Sequence, residues 1–214
     1  MISALAGRYR DALREPGFAL SALAGAAALI AAFCLNLWAI KQATARAGSG
    51  VEDVILSNIP VFAVDGAFVY GTFLVATISL ALILAHPRRI PFAFKAVALF
   101  IVIRSLFTLM THLGPPEAQY ATDFGEAITR SFFGADQFFS AHTGMPFLGA
   151  VAFWYVERKT ALFFLASSIF FAIIVLLGHI HYTIDVASAF FITYGIFHIA
   201  RLCMPRSWAL FEKA

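Results

Sequence analysis

The stretch FALSALAGAAALIAAFCLNLWAI occupies residues 18–40 and contains no charged residue. About 20 helical residues of this kind cross the hydrocarbon core of a bilayer, which is about 30 Å thick. Further apolar runs predict spans over residues 61–85, 91–113, 143–156, 160–178 and 180–203, of which the fourth is short. The period-two pattern of a β-barrel is absent, so helices are expected. The sequence therefore predicts an all-α integral membrane protein, with residues 1–214 forming a single domain of six transmembrane helices.

Composition excludes several other classes of protein. Of the 214 residues, 61% are hydrophobic and only 13% are charged, whereas soluble domains average about 25% charged residues. A disordered chain, a coiled coil and most soluble enzymes are thereby excluded. The formal net charge of +3 is too small to indicate a nucleic-acid partner. Cys34 and Cys203 lie in apolar runs and form no disulfide framework.

The basic residues orient the spans. With the N-terminus placed in the cytoplasm, 11 of the 15 Lys and Arg residues fall on the inner side, as the positive-inside rule requires. Six spans then place both termini in the cytoplasm. Most acidic residues fall on the outer side. With them, the outer ends of the helices collect ionisable groups from distant parts of the chain, namely Asp65, Arg104, His112, His142, His181 and Asp185. Such groups inside a membrane are costly and mark function more often than surface charges do.

The segment His179-Ile180-His181-Tyr182-Thr183-Ile184-Asp185-Val186 is the most informative one. On a helix, His181 and Asp185 are i,i+4 neighbours. The carboxylate then accepts a hydrogen bond from one imidazole nitrogen and leaves the other nitrogen available for nucleophilic attack. A His–Asp pair that merely caps a helix end is an equally good interpretation of these two residues alone.

A second segment places small polar residues around a histidine at the start of an apolar helix. It contains Ser140, His142, Thr143 and Pro146. Thr143 is expected as the N-cap, with Pro146 in the first turn. Exposed N–H groups at a helix N-terminus bind phosphate, although an ordinary capped helix is the commoner result of such a cluster.

These residues resemble the PAP2 superfamily of lipid phosphatases and phosphotransferases, and most closely its sphingomyelin synthase-like branch. The resemblance rests on Ser140-Ala141-His142-Thr143, on the run from Gly178 to Val186, and on Gly134-Ala135-Asp136. A weaker stretch has Arg104-Ser105 followed by Thr111, Leu113 and Pro116. The departures are Ala141, where the family has Gly, and Val175, where classical phosphatases carry an Arg. The missing Arg favours the sphingomyelin synthase-like branch.

The resemblance implies a two-step transfer through a phosphohistidine. His181 would attack phosphorus, Asp185 would orient it, and His142 would act as general acid and then general base. The expected substrate- or phosphate-binding residues are Arg104, Asp136, Ser140, Thr143, His179 and Tyr182. This scheme needs neither a metal nor a cofactor.

Alternatives remain for individual residues. His179 is either a phosphate ligand or a core residue. Arg104 is either a phosphate ligand or the partner of an acid such as Asp65 or Asp136. A metal site made of His142, His179, His181 and Asp185 is conceivable by residue type, but an i,i+2 pair of histidines on a helix points in two directions.

The favoured function is transfer of a phosphocholine- or phosphoethanolamine-like head group from a phospholipid to a lipid hydroxyl, such as that of ceramide or diacylglycerol. A hydrolase using water at the same His/His/Asp site is the alternative, and a non-enzymatic transporter or scaffold is the second alternative. The expected location is a bacterial inner membrane with the active site on the periplasmic side. The sequence does not indicate the oligomeric state.

Overall fold

The computed structural model describes residues 2–116 and 137–214. Within these ranges the regular elements are helices, joined by turns and two short 3₁₀ segments. In chain order they are α1 (Ile2–Arg14), α2 (Phe18–Ala45), α3 (Asp65–Leu84), α4 (Ile90–Met110), α5 (Ala141–Phe153), α6 (Arg158–Leu177), α7 (Thr183–Cys203) and α8 (Pro205–Glu212). The expectation of an all-α protein is confirmed for the described part of the chain.

Five of these helices are long and apolar enough to cross a membrane: α2, α3, α4 with its preceding 3₁₀ turn, α6 and α7. The fourth predicted span corresponds to α5, which has 13 residues. At 1.5 Å per residue it is about 20 Å long, less than the hydrocarbon thickness of about 30 Å. The structure therefore supports an integral membrane protein with five candidate spanning helices among the described residues, and α5 is too short to be counted with them.

Two helices lie outside the predicted spans. The first, α1, carries Arg8, Arg10 and Arg14 and buries Ala12, so it is a short amphipathic helix with a basic face. Such helices lie in the plane of a membrane interface. The second, α8, buries Trp208 and Phe211 against α4. Both helices adjoin the 3₁₀ turn Pro87–Arg89 that joins α3 to α4.

The helices pack in two groups. One is α2 against α4, and the other is α5 against α6 and α7. Small residues permit the close approach that membrane helices use in place of a hydrophobic driving force. A Cβ added to Gly25 of α2 would lie 3.2 Å from Phe94 of α4, and one added to Gly149 of α5 would lie 2.9 Å from the ring of Phe164. Large apolar side chains such as Leu20, Phe191 and Leu202 remain exposed, as lipid-facing residues do.

Candidate active site

The His181–Asp185 pair forms at the start of α7. The Nδ1 atom of His181 lies 3.2 Å from Oδ2 of Asp185, and both side chains are buried. The spacing predicted that both residues lie on one continuous helix. This prediction is wrong, because α7 begins only at Thr183. His181 lies in the preceding turn, and the contact arises from the way this turn enters the helix.

Asp185 also caps its own helix. The backbone N–H of Tyr182 donates to Oδ2 of Asp185 at 3.2 Å, which is the reciprocal half of a capping box. The capping and catalytic interpretations of the pair are therefore compatible. Oδ1 of Asp185 is buried and has no hydrogen-bond partner among the described residues. The carboxylate is held by the helix N-terminus, where negative charge is stabilised.

Gln137 is a further neighbour of His181 that sequence reasoning missed. Its Oε1 lies 3.2 Å from His181 Nδ1, and its Nε2 faces the carbonyl oxygen of Ile180 at 3.5 Å. With Nε2 directed at a carbonyl, Oε1 is the atom that faces the imidazole. Both neighbours of Nδ1 are then acceptors, so Nδ1 carries the proton and the lone pair lies on Nε2.

Side chains of α4 and of Thr111, the residue after it, hold the segment that carries Gln137. Arg104 is buried, and its Nε donates to the carbonyl oxygen of Phe139 at 2.9 Å. The hydroxyl groups of Thr108 and Thr111 donate to the carbonyl oxygens of Phe138 and Gln137, each at 3.4 Å. Arg104 thus has a role in positioning this segment. Asp136, the other expected ligand here, lies outside the described residues.

The cap of α5 is Ser140, not Thr143 as the sequence predicted. The Ser140 hydroxyl accepts from the N–H of Thr143 at 3.4 Å, and the Ser140 N–H donates to the Asp185 carbonyl oxygen at 3.1 Å. Pro146 accordingly falls in the helix interior and not in the first turn. Because proline has no N–H, it cannot donate to the carbonyl of His142 four residues earlier. The N-terminus of α5 therefore lies next to Asp185.

His142 is the second residue of α5. Its ring packs between Phe68 of α3, with centroids 4.4 Å apart, and Phe171 of α6, with centroids 6.2 Å apart. His142 also lies within electrostatic reach of His181 and Arg104. The structure therefore brings together His142, His181, Asp185 and Arg104, which come from three separate parts of the sequence.

Thr143 and His179 are both buried near these groups. Thr143 Oγ1 has no hydrogen-bond partner among the described residues, while its carbonyl accepts from Ser168 Oγ at 2.7 Å. The sequence predicted that His179 lies on a helix. It lies instead two residues after the last residue of α6, Leu177. The N–H groups of His179 and Ile180 bond to the carbonyls of Leu176 and Val175 at 3.1 and 2.8 Å, the pattern of a Schellman motif.

His179 occupies the position of that motif where glycine is usual. Its φ is 51°, a left-handed conformation that costs a non-glycine residue about 1–3 kcal/mol. The side chain is buried, and its Nε2 atom has no hydrogen-bond partner among the described residues. A strained, buried histidine of this kind next to His181 remains a candidate ligand.

Tyr182 has a structural role. Its hydroxyl donates to the carbonyl of Gly114 at 2.9 Å and accepts from the N–H of Val51 at 3.2 Å. These contacts connect the start of α7 to the loop between α2 and α3 and to the end of α4. Tyr182 therefore helps to fix this loop, and its contribution to substrate binding stays a prediction.

Asp53, in the loop after α2, is a second carboxylate at the start of α7. It accepts from the Thr183 N–H at 2.8 Å and also from the Thr183 hydroxyl, and it accepts from the N–H groups of Ile55 and Leu56. Burial raises the pKa of the Asp53 carboxyl, but the hydrogen bonds outweigh burial and hold that pKa below its ordinary value.

An apolar cavity of about 600 Å³ begins beside His142. It continues between α3, α4 and α5 towards the end of the molecule that the loop charges predict to be the inner one, where Phe92, Phe153 and Phe211 line it. Ligand pockets in proteins fall within about 300–1,000 Å³. His142 therefore belongs both to the candidate active site and to the wall of this cavity.

Comparison with known proteins gives one family. Residues 134–202, about a third of the chain, match the family model described as PAP2 superfamily C-terminal. The match supports membership of the PAP2 superfamily and a lipid phosphatase or phosphotransferase type of function. No curated protein and no solved structure matches the chain at a significant level.

Proposed function

We propose that this chain, a membrane protein whose residues 134–202 match the PAP2 superfamily, transfers a phospho-head group between lipids through a phosphohistidine on His181. The observation that carries the proposal is the setting of His181, whose Nδ1 faces two acceptor oxygens, one of Asp185 and one of Gln137. This arrangement assigns the proton to Nδ1 and the nucleophilic lone pair to Nε2.

In the first step, His181 Nε2 attacks phosphorus and the P–O bond to the departing lipid alcohol breaks. His142, which enters this step as the imidazolium, gives a proton to the departing oxygen, and Asp185 stabilises the positive charge that forms on the imidazole of His181. General acid–base help of this kind contributes about 10²–10⁴-fold.

In the second step, the acceptor hydroxyl loses its proton to His142 and attacks phosphorus, and the P–N bond to His181 breaks. Both side chains return to their starting protonation states. Arg104 and His179 are the groups proposed to bind the phosphoryl oxygens; both are buried, and His179 is two residues before His181 in the chain. The N-terminus of α5 is placed to contribute its N–H groups.

A lipid acceptor is favoured over water by the surroundings of His142. Two phenylalanine rings flank the imidazole, and one side of the residue lines an apolar cavity. We propose a phosphocholine- or phosphoethanolamine-like head group, ceramide or diacylglycerol as acceptor, and a site at the outer face of a bacterial inner membrane. Each of these finer points rests on the resemblance to the sphingomyelin synthase-like branch and on the charge distribution of the loops.

The test is lipid mass spectrometry on purified protein in vesicles of phosphatidylcholine, phosphatidylethanolamine, ceramide and diacylglycerol. Wild type is compared with His181→Ala and with His198→Ala, a matched control whose imidazole bonds to the Tyr194 carbonyl on the lipid-facing side of α7. We expect a new phospholipid with matching loss of donor, absent only in His181→Ala. Release of a water-soluble phospho-head group would instead establish a hydrolase. Full activity in folded His181→Ala would overturn the proposal.

A further inference from the structure

We propose that the apolar cavity holds one acyl chain of the substrate lipid, and that an aromatic floor made of Phe92, Phe153 and Phe211 limits the length of that chain. This inference rests on the proposed function, since it names the part of the substrate that the same site selects.

The cavity reaches one of the proposed reacting groups. His142 lines its outer end, and below it one stripe of α5 lines the wall through Met145, Gly149 and Ala152. These residues recur at the three- and four-residue spacing that places side chains on one helix face. A head group at His142 would therefore have its chain directed along α5.

The chemistry of the wall fits a hydrocarbon chain. The polar side chains contributed by α3 are Thr72 and Ser79. Their hydroxyl groups donate to the carbonyls of Phe68 and Val75 in their own helix, at 2.7 and 2.6 Å. Water needs two to four polar partners to occupy a cavity, and this wall has its hydroxyl donors already engaged. An apolar occupant needs no hydrogen bonds from the wall, so it is favoured over water.

Two helices give the length of the cavity independently. On α3 the lining runs from Thr72 to Ile83, and on α5 from Ala141 to Phe153. These stretches rise about 17 and 18 Å at 1.5 Å per residue. Half of the hydrocarbon core, the layer that one set of acyl chains fills, is about 15 Å. The cavity thus matches one acyl chain in length.

The floor is rigid. Phe92, Phe153 and Phe211 are each at most 2% exposed. Trp208 packs on Phe92 and Phe211 with ring centroids 4.8 and 5.5 Å away, and the guanidinium of Arg89 lies 5.0 Å from the Phe153 ring centroid. Forcing extra methylenes into such packing is unfavourable. A chain that exceeds the cavity must bend back, and the head group then leaves its position at His142.

The first experiment measures kcat/KM for a series of donor lipids that differ only in acyl length. Wild type should show a cutoff, beyond which two further methylenes lower kcat/KM by about tenfold or more. Ala152→Leu should move the cutoff to shorter chains and Phe211→Leu to longer ones. Ala166→Leu, on the exposed face of α6, is the matched control and should leave the cutoff unchanged. Ala93→Leu, which also narrows the cavity, replaces Ala152→Leu if that variant does not fold.

The second experiment needs no turnover. A lipid with a photoreactive group at the last acyl carbon is cross-linked to wild type and to His181→Ala, and the labelled residues are mapped. Labelling of the floor in both proteins is expected. Labels confined to lipid-facing residues, or turnover without any length dependence, would overturn the inference and leave the proposed function intact. Floor labelling without turnover of any lipid would overturn the proposed function and leave the acyl-chain site standing.

Discussion

Buried arginines occupy contrasting settings at the two ends of the molecule. At the end that the loop charges predict to be the outer one, Arg104 donates to a backbone carbonyl beside two histidines and a carboxylate. At the opposite, inner end, Arg89 is equally buried; its guanidinium donates to the carbonyl oxygen of Ala214 at 3.3 Å and lies over the ring of Phe153. The outer arginine therefore belongs to a polar network suited to chemistry, and the inner one to a packed aromatic cluster.

The contrast extends to whole clusters. The outer end buries Gln137, Ser140, His179, His181 and Asp185, groups whose burial is tolerated because hydrogen bonds compensate for part of the lost hydration. The inner end buries Phe92, Phe153, Trp208 and Phe211, which pack edge-to-face or stacked. Substitutions should therefore reduce turnover at the outer end and stability at the inner end.

The largest effect is expected at the outer end. In Asp185→Asn the new amide can present a donor to His181 Nδ1, which disfavours the required tautomer. We expect turnover to fall by about 10³–10⁴-fold, measured by head-group transfer, with a smaller change in thermal unfolding. Gln137→Met, the companion variant, removes the second acceptor and should cost about tenfold. If Asp185→Asn stays within tenfold of wild type, Asp185 is a cap and not part of the reaction.

The next effect is expected at the inner end. Trp208→Ala leaves a cavity in the aromatic cluster and should lower the free energy of unfolding by about 3–5 kcal/mol. Trp208→Phe should cost far less, because the buried Nε1 of Trp208 has no hydrogen-bond partner among the described residues. Unfolding in detergent measures both. Equal losses in the two variants would show that the indole N–H, and not packing, is what the cluster needs.

A smaller, pH-dependent effect is expected at Asp53. Its carboxylate caps α7 only in the folded protein, so its pKa is lowered on folding. The stabilisation is present above the ordinary pKa of 3.8 and is lost as the pH falls through the lower folded value. Asp53→Ala should cost about 0.5–2 kcal/mol at neutral pH. Unfolding at a series of pH values should show wild type and variant converging in acid; a difference independent of pH would contradict this account.

The smallest effect separates two roles of His179. His179→Gly relieves the left-handed conformation and His179→Ala does not, so the glycine variant should be more stable by about 1 kcal/mol. Both variants lose the imidazole, so both should lose turnover equally if His179 binds phosphate. Thermal unfolding and transfer assays on the pair measure the two roles. Turnover that follows stability alone would assign His179 to the fold.

The sequence predicted the helices better than the contacts between them. Long apolar runs are local signals, and five of the six predicted spans coincide with helices that are long and apolar enough to cross a membrane. The fourth span, expected to be short and to cover residues 143–156, was placed too far along the chain, because apolar composition continues past Phe153 although the helix runs from Ala141 to Phe153. The catalytic roles of His142, His181 and Asp185 stay predictions, although the structure brings these residues together.

Other features of the site lay beyond sequence reasoning. Gln137 is 44 positions from His181 and carries no motif that links the two. Asp53 is 130 positions from Thr183, and its sequence context indicates only an acidic residue in a loop. Thr143 and Ser140 are both good N-cap residues, and the choice of Ser140 follows from its backbone bond to Asp185.

By itself, the sequence determined that this is a helical membrane protein with ionisable groups gathered at one face. The length of an apolar run and the position of charges are properties of short segments, and each segment enters the bilayer according to its own composition. Only the tertiary structure decided which acceptors face His181, where α5 and α7 begin, and that α8 closes the cavity with Phe211. Those features depend on how distant segments pack, and a hydrogen bond or a cavity floor exists only once both of its sides are in place.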